Sequence, residues 1–290
     1  EAMIKFLKYA RNFKLPETVL ELLEKYSISF NPSLLVHDNI HYLAIRLKKD
    51  KQSKVTAKLI IWDASRVQDI NLSEEFEPDI TKVADPKLFL LEESVYCTFN
   101  TGHTTKEPNK IFLCKVENFG IREVKNCVYN ERTRIEKNWA FFKKGDKLLC
   151  LYSLNPLTVL EAKNTTEDSI VFENIFSNET DLTNHTIGSP FIPNKEKNSL
   201  AFIAHKKFYK RGKRLYLGKV FHFNTNNFTL TQQSSFLAHS IVSLFGNKIK
   251  LNPNLISCTY FSGLQSYKKK WIISYGVNDI QWKIKCLNKL

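Results

Sequence analysis

The chain has one methionine in 290 residues, and only nine glycines and nine prolines. So few helix and strand breakers exclude a collagen-like or low-complexity chain and reserve Gly and Pro for turns. No apolar run approaches the ~18 residues of a membrane-spanning helix. The six cysteines (Cys97, Cys114, Cys127, Cys150, Cys258 and Cys286) show no metal-ligand spacing. Four of them, Cys97, Cys114, Cys150 and Cys286, sit inside apolar runs, where a free thiol behaves as a small buried hydrophobe. A Ser-His-Asp order and a phosphate-cradling glycine loop are both missing. These absences argue against a metal or organic cofactor, and none is expected. The lone methionine, Met3, follows Glu1-Ala2, which reads as an appended scar before a native start. With no secretory apolar segment, that start implies a cytoplasmic chain.

Acidic residues are the scarcer charge. Lys and Arg number 43 against 29 Asp and Glu, giving a net charge of +14 and a pI near 9.4. One reading is solubility with a Lys/Asn-rich coding bias; the other is an anionic ligand such as a phosphate, a sugar nucleotide or an acidic surface. Basic residues cluster at Lys206-Lys207, Lys210-Arg211, Lys213-Arg214 and Lys268-Lys269-Lys270. No recognition helix, zinc finger or RNP motif accompanies them, which weighs against nucleic acid.

What is present is a sixteen-residue pattern. Its copies begin at Asn31, Asp85, Asn138, Ser189 and Thr259, with starts 54, 53, 51 and 70 residues apart. The first three align without a gap, from Asn31 to Arg46, Asp85 to Asn100 and Asn138 to Ser153. The fourth ends at His205 and the fifth at Tyr275, each with one extra turn residue. Every copy reads as a polar residue, an apolar strand, a polar turn and a second apolar strand. Self-similarity at about 40–50 residues signals a β-propeller. The expected architecture is an all-β, five-bladed β-propeller over 30–290, preceded by a short N-terminal helical extension over 1–29. Within that extension, Pro16 opens an amphipathic helix over 17–25. Outer strands are expected over 54–63, 110–116, 158–162, 214–223 and 281–287.

Radial repetition brings equivalent positions to one axis. The leading residues Asn31, Asp85, Asn138, Ser189 and Thr259, and the closing residues Arg46, Asn100, Ser153, His205 and Tyr275, are nearly all polar. Taken singly, each is a strand-end residue satisfying backbone groups; as a set, they outline a polar cavity.

The elements Asn31-Pro32-Ser33 with Arg46, Asp85-Pro86-Lys87, Glu136-Lys137-Asn138-Trp139, Gly188-Ser189-Pro190 with His205, and Tyr275-Gly276-Val277-Asn278-Asp279 occur in one order. That order resembles the five-bladed propellers of glycoside hydrolase family 130, and is similar to the mannosyltransferase/phosphorylases of glycosyltransferase family 108. The match runs over roughly residues 30–285. The resemblance implies cleavage or synthesis of β-mannosides with inversion. It also implies that Asp85 is the general acid, within Ala84-Asp85-Pro86-Lys87 where the family has Glu-Asp-Pro-Arg. Families 43 and 32 place an Asp at the first-blade position, whereas this chain has Asn31.

Cleavage of a glycoside needs a proton on the leaving oxygen and a nucleophile on the opposite face. One carboxylic acid suffices when phosphate is the nucleophile. Asp85 is the catalytic candidate, and partial burial is expected to raise its pKa and keep it protonated. Asn31, Ser33, Arg46, Asn138, Trp139, Ser189, Tyr275 and Asp279 are the substrate-binding candidates. Asp279 would accept from vicinal hydroxyls, and Trp139 and Tyr275 would offer rings to the sugar. Arg134, Lys137 and His205 are candidates for a phosphate or other anion. Tyr152 and Asn155 lie near the same rim. The expected activity is inverting glycosyl transfer, with mannosyl as the expected unit, between a β-glycoside and phosphate or a sugar acceptor. The partners are a carbohydrate and phosphate, a sugar phosphate or a nucleotide sugar. The alternative is a non-catalytic propeller that binds glycans or an acidic surface.

Overall fold

The computed structural model describes residues 3–102, 107–194, 196, 198–249 and 251–288. The expected scar, Glu1-Ala2, lies outside them. The chain is mostly β, laid down as successive antiparallel meanders.

The first meander holds Ile28–His37, Ile40–Lys48, Thr56–Trp62 and Val67–Asn71, paired in chain order. The second holds Ala84–Leu91, Ser94–Asn100, Ile111–Glu117 and Gly120–Tyr129. Ala140–Lys144, Lys147–Leu154, Leu157–Thr165 and Ser169–Asn178 make the third. In the fourth, the short pieces His185–Ile187 and Ile192–Pro193 lie against Ser199–Lys210, followed by Lys213–Asn224 and Thr229–Ala238. Leu255–Tyr267, Lys270–Val277 and Gln281–Leu287 form the fifth. The expected hairpins recur at Asp38-Asn39 and Gly145, where positive φ lets two strands turn tightly.

Side chains of one strand alternate between two faces, and in inner strands such as Ile28–His37 and Ala84–Leu91 both faces are buried. Leu43, Ile45 and Leu47 of the first meander share a core with Ile272 and Ile284 of the fifth. Tyr42 and Ala44, on the other face, share one with Leu88, Val95 and Cys97 of the second. Phe89 and Leu91 of the second join Phe141, Cys150 and Leu160 of the third. Phe142 and Leu149 of the third meet Phe202 and Phe221 of the fourth. Ala201, Ile203 and Val220 of the fourth meet Phe261, Leu264 and Ile273 of the fifth. Each core thus joins neighbours, and one joins the last meander to the first. The double-sided apolar pattern is what lets sheets stack face to face with no solvated face inside the body.

The N-terminal segment packs against the sheets and holds strands as well as a helix. The expected helix is present as Glu17–Glu24, with Val19 and Leu23 buried in the core between the first and fifth meanders. Ahead of it, Ile4–Phe6 pairs in parallel with Phe236–Ala238, and Arg11-Asn12 pairs with Lys285-Cys286. The first dozen residues therefore supply edge strands to the fourth and fifth meanders. Ile4 and Phe6 read poorly as a strand because the segment is short and interrupted by lysines.

Candidate active site

Three repeat starts share one backbone trick. Asn31 (φ 50°), Asp85 (φ 50°) and Asn138 (φ 62°) all sit in the left-handed region. Asn and Asp tolerate that region better than most side chains. A bulge follows at once in two of them, between Phe30 and Ser33 and between Ala84 and Lys87. A bulge re-aims the side chain at its position. Together these features turn the polar heads of three meanders into one cavity of about 690 Å³.

At its centre Arg46 Nη1 donates to Asp85 Oδ1 at 3.0 Å, and Asn31 Nδ2 donates to the same oxygen at 3.3 Å. Asp85 is buried. Burial alone would push its carboxyl up, but Arg46, Lys137 and Lys87 outweigh it and Asn31 adds to them, holding the group down at about 2. The expected protonated acid is thus an ion-paired carboxylate, because cations surround it more closely than apolar groups do. Asp279 lines the same cavity and moves the other way: burial raises it, Arg46 and Lys137 oppose, and Asp85 reinforces the rise.

Lys87, two residues past Asp85, is almost wholly buried. Its Nζ donates to Asn138 Oδ1 at 2.6 Å and to the carbonyl of Gly188, tying the second, third and fourth meanders together. Burial pushes this ammonium down to about 7, with Asp85 opposing and Lys137 reinforcing. Asn138 also accepts from Tyr260 Oη at 3.0 Å and donates to Ile187 O at 2.8 Å.

His205 is fully buried at the cavity wall. Its Nε2 accepts the Phe261 backbone N–H at 2.7 Å, and its ring stacks on Tyr260 with centroids 4.5 Å apart. Burial, Lys87 and Lys207 hold its pKa well below the ordinary value. The proton of the neutral ring therefore stands on Nδ1, which has no hydrogen-bond partner among the described residues. His205, a candidate for binding an anion, is thus a neutral imidazole here. Gly188 makes room for it, since a Cβ there would come within 2.9 Å of His205 Cε1.

The structure brings Asn31, Arg46, Asp85, Lys137, Asn138, His205 and Asp279 to the cavity, with Tyr152 and Asn155 on its rim. Trp139 borders it, but its ring sits in the core, edge-on to Tyr152 and Phe172 at 5.4 Å from each. That position leaves no ring face for a sugar. Ser33 and Ser189 are buried off the cavity: their hydroxyls accept the backbone N–H groups of Leu88 and Ile203, both at 2.9 Å. Tyr275 is fully buried in the core between the fourth and fifth meanders, bonded to His239 Nδ1 at 3.0 Å. Arg134 is exposed and is not among the lining residues.

Several lining residues carried no repeat signal. Glu136 accepts from Tyr152 Oη at 2.6 Å and pairs with Arg132 at 3.3 Å. Lys207, Arg214 and Tyr216 form a basic, aromatic wall, with both cations about the Tyr216 ring at 5.9 and 5.8 Å. The charge cluster around Lys206–Arg214 was the visible signal for that wall. Only the hairpin pairing of Lys207 with Tyr216 places it over the cavity.

No family model matches the sequence, and no curated protein matches it. Solved structures do match. A putative glycoside hydrolase from Parabacteroides distasonis aligns at 13% identity and TM-score 0.64, over 91% of this chain and 88% of that one. A β-1,2-mannobiose phosphorylase from Listeria innocua aligns at 11% identity and TM-score 0.56, over 90% and 89%. The catalytic domain of a family-62 α-L-arabinofuranosidase from Coprinopsis cinerea aligns at 10% identity and TM-score 0.52, over 99% and 95%. At such identities the likeness is one of fold: this chain has the propeller-like fold of these glycosidases.

Proposed function

We propose that the chain is a five-bladed β-propeller carbohydrate-active enzyme that transfers a glycosyl unit, with inversion, between a β-glycoside and phosphate or a sugar acceptor. The closed circuit of five inter-meander cores supports the blade count. The single observation that carries the activity is a pair of carboxyls, Asp85 and Asp279, in one cavity whose surroundings push them in opposite directions. Carboxyls so divided mark a site of proton transfer; here Asp85 relays the proton and Asp279 binds the sugar. The cationic wall of Lys137, Lys207 and Arg214 supports phosphate over water as the acceptor. Mannose as the sugar rests on the likeness in motif order and fold to mannoside phosphorylases.

In the free protein Asp85 is ionised, so it cannot open the reaction as an acid. Hydrogen phosphate taken up beside Lys137 and Arg46 cancels the fields that depress Asp85 and raises its pKa. The phosphate's own proton then reaches the glycosidic oxygen through Asp85. A phosphate oxygen bonds to the anomeric carbon as the bond to the leaving oxygen breaks. The products are a glycosyl phosphate and an alcohol, and Asp85 ends ionised as it began. Asp279 and Asn31 hold sugar hydroxyls.

A screen of glycosyl 1-phosphates against simple sugar acceptors, with and without Asp85→Asn, tests this. Phosphate release that is lost in Asp85→Asn supports the reading. Sugar or phosphate binding without turnover, unchanged in Asp85→Asn, makes the chain a binding module and ends the enzyme reading.

A further inference from the structure

The acidic residues are unevenly spread along the chain. Between Glu196 and Asp279 there are thirteen Lys and Arg and no Asp or Glu. The fold gathers part of that stretch at the cavity mouth. Arg214, Leu215 and Tyr216 pair in parallel with Leu255, Ser257 and Cys258, and the Arg214 N–H donates to Asn254 O at 2.9 Å. The short helix Ile241–Leu244 is pinned to the same strand, because Ser257 Oγ donates to Ser243 O at 2.7 Å. Asn278 Nδ2 reaches that carbonyl too, at 3.3 Å. Lys207, Arg214, Asn252 and Leu255 line the cavity, so the hairpin and the strand that pins the helical segment stand side by side at its rim.

The polar groups of the helical segment are satisfied inward. Ser240 and Ser243 cap it reciprocally and are themselves buried. Its apolar side chains face water: Ile241 is 60% exposed, Val242 76%, Phe245 84% and Ile249 63%. Next to them the hairpin tip exposes Phe208 and Tyr209 among Lys210, Arg211 and Lys213, and Lys248 is exposed as well. Exposed apolar side chains flanked by charge of one sign mark an interaction surface.

We propose that this rim docks on an anionic lipid bilayer. Ile241, Val242, Phe245 and Ile249 would enter the headgroup–acyl boundary, while Lys210, Arg211, Lys213 and Lys248 face lipid phosphates and carboxylates. Charge selects this partner. A second copy would set cation against cation, since the two segments hold no carboxylate. Nucleic acid would be met by stacking rings, yet three of the four most prominent side chains are aliphatic. The inference is independent of the glycosyl-transfer reading.

The full chain, mixed with phosphatidylcholine vesicles with or without phosphatidylserine, provides the test by co-flotation. Binding is expected only with phosphatidylserine, and to weaken with added salt. Lys210→Ala with Arg211→Ala should weaken it about 30-fold, at roughly 1 kcal/mol per surface cation. Val242→Ser with Phe245→Ser should weaken it about tenfold or more. All four positions are exposed, so thermal melting of both variants should match the parent. Failure to float with phosphatidylserine, or flotation untouched by Val242→Ser/Phe245→Ser, overturns the proposal. A dimer seen by light scattering that this variant dissolves would overturn it as well, and would make the face a self-interface.

Discussion

Protonating Asp85 should cost the fold a calculable amount. Its carboxyl titrates at about 2 in the folded chain against an ordinary 3.8. The folded state therefore holds the ionised form more tightly than the unfolded chain does. That preference adds about 2.5 kcal/mol of stability at pH 7, present above the unfolded pKa and lost as pH falls through the folded one. About 1 kcal/mol should be gone at pH 3 and about 2 kcal/mol at pH 2. Asp85 is only 8% exposed, so solvent screening removes little of this. Asp85→Asn isolates the effect, because every other carboxylate titrates alike in both proteins. Urea melts of the two chains between pH 7 and pH 2 should show a gap that narrows by those amounts. At neutral pH the variant should be less stable, having left Arg46 beside an amide in a buried site. A gap that stays constant over the whole range would refute the assignment of Asp85 as a cation-held carboxylate, and with it the phosphate-gated acid.

Lys87→Met should remove a slope on the alkaline side. A lysine held at about 7 binds fewer protons folded than unfolded, so wild-type stability should rise relative to the variant between pH 7 and pH 10 in urea melts. Gly276→Ala would place a Cβ onto Asn31 Oδ1 and 2.9 Å from Asn31 N. Overpacking of that kind costs about 1–3 kcal/mol; thermal melting should fall accordingly, and any phosphate-induced stabilisation should fall with it. His205→Phe keeps the stack on Tyr260 but leaves the Phe261 N–H unpaired, at about 1–3 kcal/mol by chemical denaturation. In the parent, NMR titration of the His205 imidazole should show no protonation near pH 6.5.

The first three repeats were legible because one residue type does one job in each. Asn31, Asp85 and Asn138 take the same left-handed turn and deliver a polar head to the axis. The fourth and fifth copies carry an extra residue, and in a strand a shift of one residue reverses the face. Thr259 was the expected head of the fifth copy, yet it is fully buried with its hydroxyl accepting the His239 N–H at 3.2 Å. Its neighbour Tyr260 reaches the cavity instead. Tyr275 is misread for the same reason, as its ring falls on the core face. Asp279, carried by a resemblance rather than by the repeat, does arrive at the cavity. Charge states were the least legible feature. The direction of the Asp85 shift depends on Arg46, Lys137 and Lys87, which lie on three different segments, and no local pattern reports their convergence. The small polar residues Ser33 and Ser189 look like ligands in sequence, but serve the backbone N–H groups of Leu88 and Ile203.

The chain's first strands find their partners far along it: Ile4 beside Phe236, and Arg11 beside Cys286. During synthesis the opening segment must therefore wait, unpaired, while about 230 residues emerge for its first strand and about 275 for its second, a delay set by the sequence separation of the contacts it makes. Until it is stitched in, the outer margins of the two final sheets stay bare, so a shortened leading end should show itself first as clumping of the newborn chain, well before any change in what the finished molecule binds.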